Sequence, residues 1–268
     1  HNAEHVMHQN IVVITYNRKV NLWLHLFLLY DNKMKTAICL SGELRSIDKC
    51  IDGWKEKILP KLGEYDLFYF AWDDDPDKSK LKYLNQLNLK DIIIEPRKTF
   101  HEKMYAIKKR PEVNVQGLLR QTYCLGRCND IKRKYEKKND FIYDCVVRLR
   151  PDILIEPDAV FPEVVTLDLN KLHVFKHDAW FGYNDRVYFS NSKNMNIVDN
   201  RFSFIDDHFY NNGIFHYEIL FKAVADKNKI NPQKHDFRFK LLRTNGAESY
   251  CWENDAYWSK MWSYPQLT

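Results

Sequence analysis

Long apolar runs are missing from this sequence, and so is any extended low-complexity segment. The apolar stretch over residues 20–30 contains His25 and is too short for a membrane-spanning helix, which needs roughly 20 apolar residues. No cleavable signal pattern precedes it. Only 8 glycines and 9 prolines occur among 268 residues, and because they are spread along the chain they form no low-complexity linker. We therefore expect a cytoplasmic protein without a transmembrane segment.

Paired cysteines and concentrated positive charge are also missing. Six cysteines occur, but none stand in the CxxC spacing of a zinc or redox site, so we expect reduced thiols rather than a disulfide framework. The net charge is only +5, which suits an anionic small ligand but falls short of the charge typical of nucleic-acid binders. No GxGxxG is present, so a dinucleotide-binding site is not predicted.

The composition that is present predicts one large domain. Hydrophobic residues make up 45% of the chain and aromatic residues 15%, which is enough to bury a substantial core. Met34 directly precedes the first clear strand. We therefore predict a domain over residues 34–268, preceded by an extension over residues 1–33 whose status the sequence leaves open.

Strand and helix patterns alternate along this domain. Predicted strands cover 35–40, 65–71, 91–95, 144–150, 172–175, 186–189 and 237–242. Predicted helices cover 47–59, 77–87, 113–138, 192–199 and 216–226. Such alternation predicts an α/β fold, with a mainly parallel sheet and helices on both faces. In these sheets ligands bind beyond the carboxyl ends of the strands, so residues that follow strands are the candidates for function.

Two such places favour an anionic ligand. Ser41 and Gly42 end the first strand, and Glu43 and Arg45 follow; the glycine lets the backbone approach a ligand closely and the arginine can pair with a phosphate. An ordinary strand-to-helix turn explains the same residues. Arg148 and Arg150 share one face at the end of the fourth strand, and Asp152 follows them.

The second place fits a diphosphate and its metal, because arginines together with a carboxylate-bound cation neutralise a departing diphosphate. An internal arginine–aspartate ion pair is the alternative. Asp73 and Asp75 belong to an acidic run after the second strand, which could also hold a cation or be a solvated loop.

Two further carboxylates are candidates for contact with a substrate. Asp185 lies in a turn, where it could bind sugar hydroxyls or act as a base, although an Asx-type turn explains it equally well. Glu218 opens a helix, where a carboxylate is also common because of the helix dipole. Its alternative role is a general base, with His216 a weaker candidate. Flat aromatic rings can stack on sugars, and we assign this role to Trp180, Tyr183 and Trp252.

These motifs, in this order, resemble a group of polysaccharide-building glycosyltransferases. The group includes the WavE-type lipopolysaccharide synthesis proteins and enzymes of large algal viruses. The stretch 41–45 resembles their SGxxR opening, and 143–152 resembles their YDxxxRxRxD segment. The stretch 184–195 resembles their segment with an Asn-Asp pair and a later Met, and 216–218 resembles the start of their Pro-Glu helix. His216-Tyr217 stands where that group often has proline.

The resemblance implies a GT-A-like fold and a nucleotide-sugar donor, with UDP as the expected nucleotide. It also implies a Mn²⁺ or Mg²⁺ cofactor and a glycan acceptor, in the synthesis of a surface polysaccharide or glycoprotein glycan. In this interpretation Ser41, Gly42, Glu43 and Arg45 bind the nucleotide. Arg148 and Arg150 bind the diphosphate. Asp152, or Asp73 with Asp75, binds the metal. Asp185 positions the sugar or the acceptor, and Glu218 deprotonates the acceptor in an inverting displacement.

Two other classes of function stay open at this point. One is a metal-dependent phosphoryl-transfer enzyme or nuclease that uses Asp73, Asp75 and Asp152. The other is a carbohydrate-binding module on a transferase fold that has lost its activity. The sequence does not identify the sugar, the acceptor, the linkage or the oligomeric state.

Overall fold

The computed structural model describes residues 34–74, 78–101, 105, 114–177, 179, 181–211 and 214–250. The predicted extension over residues 1–33 lies outside them. In chain order the strands are β1 (Lys35–Ser41), β2 (Glu64–Trp72), β3 (Leu89–Glu95), β4 (Cys145–Leu149), β5 (Ile153–Ile155), β6 (Leu172–Phe175), β7 (Val187–Ser190), β8 (Pro232–His235), β9 (Phe239–Leu242) and β10 (Glu248–Tyr250). The α-helices are α1 (Ile47–Lys57), α2 (Leu81–Leu84), α3 (Val115–Asn139), α4 (Ser192–Val198), α5 (Ile205–Tyr210) and α6 (Tyr217–Lys227).

Within this part of the chain, seven strands form a central sheet in the order β3-β2-β1-β4-β7-β6-β8. The first four pair in parallel, whereas β7 runs antiparallel to both β4 and β6. A small second sheet has the order β10-β9-β5 and is antiparallel. The predicted fold class, an α/β domain with a mainly parallel sheet, is therefore confirmed, and the arrangement is consistent with a GT-A-like fold.

Helices cover both faces of the sheet because of the direction in which the chain winds. From β1 to β3 the strands are added in one direction, and the chain then returns past β1 to place β4 on its other side. Right-handed crossovers therefore put α1 and α3 on opposite faces. The buried side of α3, with Cys124 and Cys128, packs in one apolar cluster with Ala37 and Cys39 of β1. On α1, the Trp54 indole donates to the carbonyl of Ile153 at 2.9 Å.

The ends of the helices follow local sequence. Pro60 lies in a 3₁₀ turn just after α1, since proline cannot continue an α-helix. Helix α3 begins where Asn114 caps it, its side chain accepting from the amide of Gly117, and it ends at Asp140 in the left-handed conformation. The predicted helix over 77–87 is wrong in length: a 3₁₀ turn over Lys78–Lys80 precedes α2, which has only four residues.

None of the helices in the described part of the chain combines the length and the apolar character that a membrane span requires.

A buried polar cluster joins α3 to α4. Lys132 has no exposed surface, and its Nζ lies 3.1 Å from Oε2 of Glu136 and 2.9 Å from Oδ1 of Asn196. Ser192 donates to Oε1 of Glu136 at 2.7 Å, and the amide of Tyr143 donates to the same oxygen at 3.0 Å. A buried charge is tolerated when it is paired and hydrogen-bonded. Removal of either Lys132 or Glu136 would therefore leave the other as an unpaired buried charge.

We expect Lys132→Ala to lower the free energy of unfolding by about 3–5 kcal/mol, because it leaves a buried carboxylate without its partner. Urea denaturation followed by circular dichroism measures this change. The control is Lys134→Ala on the exposed side of the same helix, which should change stability by less than about 0.5 kcal/mol. The double variant Lys132→Met with Glu136→Gln should recover part of the loss. If Lys132→Ala were as stable as Lys134→Ala, the buried ion pair between Lys132 and Glu136 would not stabilise the fold.

Candidate functional site

A cleft opens where the strand order of the central sheet reverses, beyond the carboxyl ends of β1 and β4. Open α/β sheets bind ligands at this position, because the crossovers on the two sides of the reversal point leave a crevice between them. The cleft has a volume of about 300 Å³. Five arginines line it: Arg45, Arg97, Arg120, Arg148 and Arg150. It is also lined by Ser41, Gly42, Glu43, Asn114, Gly117, Gln121, Asp152 and Tyr217.

The predicted nucleotide-binding stretch forms one wall of this cleft. The amide of Gly42 donates to the carbonyl of Phe70 at 3.0 Å, and the hydroxyl of Tyr69 donates to the carbonyl of Gly42 at 2.6 Å. Gly42 has a φ of 95°, which only glycine adopts readily. Arg45, at φ 43°, is also in the left-handed region. The turn after β1 is therefore held in an unusual conformation at the cleft, and Ser41, Gly42, Glu43 and Arg45 come together there as predicted.

Arg148 is buried at the end of β4, and only 3% of its surface is exposed. Its guanidinium donates to the carbonyl of Cys39 at 2.7 Å and to the hydroxyl of Ser41 at 2.6 Å. In the described part of the chain no carboxylate forms an ion pair with it, and its Nε has no hydrogen-bond partner. The predicted alternative of an internal ion pair therefore does not apply to Arg148, which lines the cleft without such a partner.

Asp152 is only 1% exposed and is surrounded by arginines. Arg150 binds it with two parallel hydrogen bonds of 2.9 Å, and Nη1 of Arg45 lies 3.0 Å from its Oδ2. Nη1 of Arg243 lies 3.8 Å from the same oxygen. Burial acts to raise the pKa of Asp152, but the neighbouring arginines outweigh it and lower the pKa to about 2. For Arg150 and Asp152, the ion pair that the sequence analysis left as an alternative is thus present.

The residues around Asp152 do not fit a divalent cation. Both carboxylate oxygens already accept hydrogen bonds from guanidinium groups, whereas Mn²⁺ or Mg²⁺ needs oxygen ligands with free lone pairs. Asp73 is exposed on the turn after β2, and Asp75 lies outside the described residues. Nowhere in the described ranges do three or more histidine, cysteine or acidic side chains converge as a metal site. The metal role of Asp152, Asp73 and Asp75 stays a prediction.

Alternating charges run along the rim of the cleft towards β2. The side chain of Arg97 forms two hydrogen bonds with Asp74, of 2.8 and 2.6 Å, and its Nη2 lies 3.4 Å from Glu43. Glu43 in turn lies 3.5 Å from Nε of Arg45, and Arg45 also forms an ion pair with Asp152. These ion pairs fix the positions of the rim arginines and neutralise most of their charge.

The two candidate catalytic carboxylates lie together beside the cleft. Asp185 accepts a hydrogen bond from Gln121, which lines the cleft, and lies 4.0 Å from Nη1 of Arg186. Oε2 of Glu218 is 2.8 Å from Nδ1 of His216, and its Oε1 is 3.4 Å from the same Arg186 nitrogen. Burial, and then the charge of Asp185, raise the pKa of Glu218. Both carboxylates are buried, and neither lines the cleft directly.

The turn that contains Asp185 has the predicted Asx geometry, formed by the residue before it. Oδ1 of Asn184 accepts from the amides of Arg186 and Val187, at 3.0 and 3.4 Å. Gly182, just upstream, has no room for a side chain, because a Cβ there would lie 1.8 Å from the carbonyl oxygen of Glu218. The turn and the start of α6 are therefore in direct backbone contact.

Of the three aromatic residues predicted to bind the acceptor, only Tyr183 lies among the described residues. Tyr183 is 5% exposed and packs in the core, with its hydroxyl directed at Asp226, so protein covers the faces of its ring. Its position does not fit stacking on a sugar. Trp180 and Trp252 lie outside the described residues. Among the residues of this region that the structure describes, Phe181 is an exposed aromatic, with 65% of its surface exposed and a φ of 65°.

Sequence reasoning missed several residues that line the cleft, among them Arg97, Arg120, Gln121 and Tyr217. Arg97 follows β3 by two residues, whereas the other three follow no strand within a few residues. For Arg120 and Gln121 there was a usable signal: they lie in the second turn of the long helix that leads into β4. The first turns of such a helix reach the carboxyl edge of the sheet.

Two comparisons with known proteins gave matches. Many solved structures match, and one of them has a TM-score of 0.39 and 17% sequence identity, covering 76% of this chain and 81% of that chain. It is described as the crystal structure of a glycosyltransferase involved in the glycosylation of the major capsid of PBCV-1. At this level of similarity the match does not establish a shared activity. Comparison with curated proteins gave no match.

The other match is to a protein family and extends over residues 31–253, which include every described residue of the cleft. The family is described as a domain of unknown function, DUF7796. A match over this much of the chain assigns the family, and the chain belongs to DUF7796.

Proposed function

We propose that this protein is a glycosyltransferase, which moves a sugar from a nucleotide-sugar donor to a hydroxyl group of a glycan. The observation that supports this most directly is the distribution of charge in the cleft. Two of its arginines have no carboxylate partner in the described structure, and they lie where an α/β sheet binds its ligand. The resemblance of the SGxxR and YDxxxRxRxD motifs to glycosyltransferases points to the same class.

The five cleft arginines fall into two groups. Arg45, Arg97 and Arg150 have carboxylates within 3.0 Å, so their charge is largely neutralised. In the described structure, Arg148 and Arg120 are bound only by backbone carbonyls and a hydroxyl; Nε of Arg120 donates to the carbonyl of Lys98 at 3.0 Å. Guanidinium groups that form no ion pair attract an anionic ligand to a cleft, and a diphosphate would lie against both.

The start of helix α3 adds to this positive region. Its cap Asn114 and Gly117 line the cleft, and the helix is 25 residues long. The first amides of a helix have no partner within it, and the helix dipole places a partial positive charge there. Phosphate groups bind at such ends. The diphosphate of the donor would thus lie between α3, Arg120 and Arg148.

These groups would assist transfer by stabilising charge on the departing nucleotide. As the bond between the sugar and the diphosphate breaks, negative charge grows on the phosphate oxygens, and positioned cations stabilise that charge without reorganisation. Ser41, Gly42 and Glu43 form the wall of the cleft that would hold the nucleoside. UDP is the nucleotide that the resemblance implies.

The carboxylates Asp185 and Glu218 are our candidates for activating the acceptor. Tyr217, next to Glu218, lines the cleft, and Gln121 links Asp185 to it. A base for a hydroxyl works best with a pKa near the working pH, and the pKa of Glu218 is raised in that direction. A direct attack assisted by this base would invert the anomeric carbon. To act, the carboxylate would exchange its contact with Arg186 for the acceptor hydroxyl.

A thermal-shift panel of UDP, GDP, ADP and their sugar conjugates tests the proposal. A ligand at 100 times its dissociation constant adds about 2.7 kcal/mol to the free energy of unfolding. For a chain of this size that is a rise in Tm of about 5–10 °C. We expect UDP and one UDP-sugar to give the largest rise. No rise with any nucleotide would contradict the proposal and favour a carbohydrate-binding module, and hydrolysis of a polynucleotide would favour a nuclease.

Substitution of the two arginines without carboxylate partners should weaken nucleotide binding. We expect Arg120→Ala to raise the Kd for UDP by about 10- to 150-fold, the range for one hydrogen bond to a charged group. Arg148→Lys, which keeps the charge but not the paired hydrogen bonds, should also weaken binding. Isothermal titration calorimetry measures both. Arg133→Ala, at an exposed position on the same helix, is the matched control and should bind UDP like the parent. Unchanged affinity in Arg120→Ala would place the diphosphate elsewhere.

Glu218→Gln should lower kcat for sugar transfer by about 10²- to 10⁴-fold, the usual contribution of a general base. Because the base must be ionised, transfer by the parent should rise with pH as the pH passes through the raised pKa of Glu218, and the variant should lose this dependence. The affinity for UDP should stay the same in the variant, which separates catalysis from folding. A product whose anomeric configuration matches the donor would count against direct inversion.

A further inference from the structure

We propose that the protein neutralises the donor diphosphate with its own cations and needs no divalent metal, and that Asp152 serves to hold the arginines in place. This inference rests on the proposed function, since it concerns the same cleft. It differs from the metal-assisted mechanism that the sequence predicted. The observations that support it are the contacts of Asp152 and of the other acidic side chains around the cleft.

Asp152 gathers three arginines from distant parts of the chain. Arg45 follows β1, Arg150 follows β4 and Arg243 follows β9, and one oxygen of Asp152 lies within 3.8 Å of a nitrogen from each of them. The backbone carbonyl of Asp152 also accepts from the amide of Leu242 at 2.9 Å, which holds the end of β9 beside it. The buried carboxylate is thus the common anchor of three side chains.

The charge of this group is the reverse of that in a metal site. Three guanidinium groups surround the carboxylate, and with Glu43 counted beside Arg45 the group has a net charge of +1. Burial, and then the charge of Arg150, lower the pKa of Arg243. A divalent cation bound to Asp152 would lie next to these charges and would have to displace the paired hydrogen bonds from Arg150. A phosphate group, in contrast, is attracted by the same charge.

The other described acidic groups of the cleft have arginine partners as well. Glu43 lies between Arg45 and Arg97, and Asp74 at the rim is bound by Arg97. Metal-bridged diphosphate sites rely on carboxylates whose charge is available to the metal. Here the carboxylates are occupied in orienting arginines, and arginines meet the phosphates.

Calorimetric titration of UDP into the full chain, in EDTA and then in millimolar Mn²⁺ or Mg²⁺, tests the inference. We expect the Kd in EDTA to agree with the value in metal within about threefold. A Kd at least tenfold lower with metal would overturn the inference while leaving the proposed function intact. Absence of UDP binding under both conditions would overturn the proposed function, and this inference with it.

Asp152→Asn distinguishes an anchor from a metal ligand. As an anchor, its loss should raise the Kd for UDP at least tenfold in EDTA, because Arg45 and Arg150 lose their common partner. A metal ligand would change binding only in the presence of metal, so an unchanged Kd in EDTA would overturn the inference. Asp158→Asn, at an exposed aspartate paired with Arg238, is the control and should bind UDP like the parent.

The variant Arg243→Ala tests the same inference independently, in case Asp152→Asn does not fold. Arg243 is 43% exposed, so its removal should leave the domain folded, and circular dichroism checks this. We expect the variant to raise the Kd for UDP about three- to tenfold in EDTA, with no recovery on addition of Mn²⁺. Recovery of parental affinity by Mn²⁺ would show that a metal can replace the arginine and would overturn the inference.

Discussion

The buried carboxylate of Asp152 is the interaction on which the geometry of the cleft depends. It binds guanidinium groups from the turn after β1 and from the end of β4, and its backbone binds the end of β9. Without a shared anion these cations would repel one another, because they are too close to be screened by solvent. One carboxylate therefore connects the central sheet to the small second sheet and sets the spacing of arginines that line the cleft.

The sequence predicted the parts of the structure that local patterns determine. The buried parallel strands are continuous apolar runs, so β1, β2, β4 and β6 were found within one or two residues of their ends. The sequence also predicted that functional residues follow strands, and Ser41 and Arg148 do meet beyond the ends of β1 and β4. The strand order that places the cleft between these strands was not predicted from the sequence.

The contacts that give the site its chemistry depend on long-range packing, which local patterns do not encode. Arg45 and Asp152 are separated by 107 positions, and nothing near either residue signals the pairing. The sequence analysis therefore predicted a metal role for Asp152 and kept the ion pair only as the alternative. The polar strand β8 was missed for a related reason: its residues Pro-Gln-Lys-His have no apolar pattern, and pairing with β6 alone makes it a strand.

The backbone contact at Gly182 makes the turn before β7 and the start of α6 a single unit. The amide of Tyr183 donates to the carbonyl of Glu218 at 3.1 Å, and the neighbouring glycine leaves no space between the two segments. A chimera that exchanges this turn with that of a relative would therefore have to exchange the beginning of α6 with it. Changes in either segment within this family should accordingly be accompanied by changes in the other.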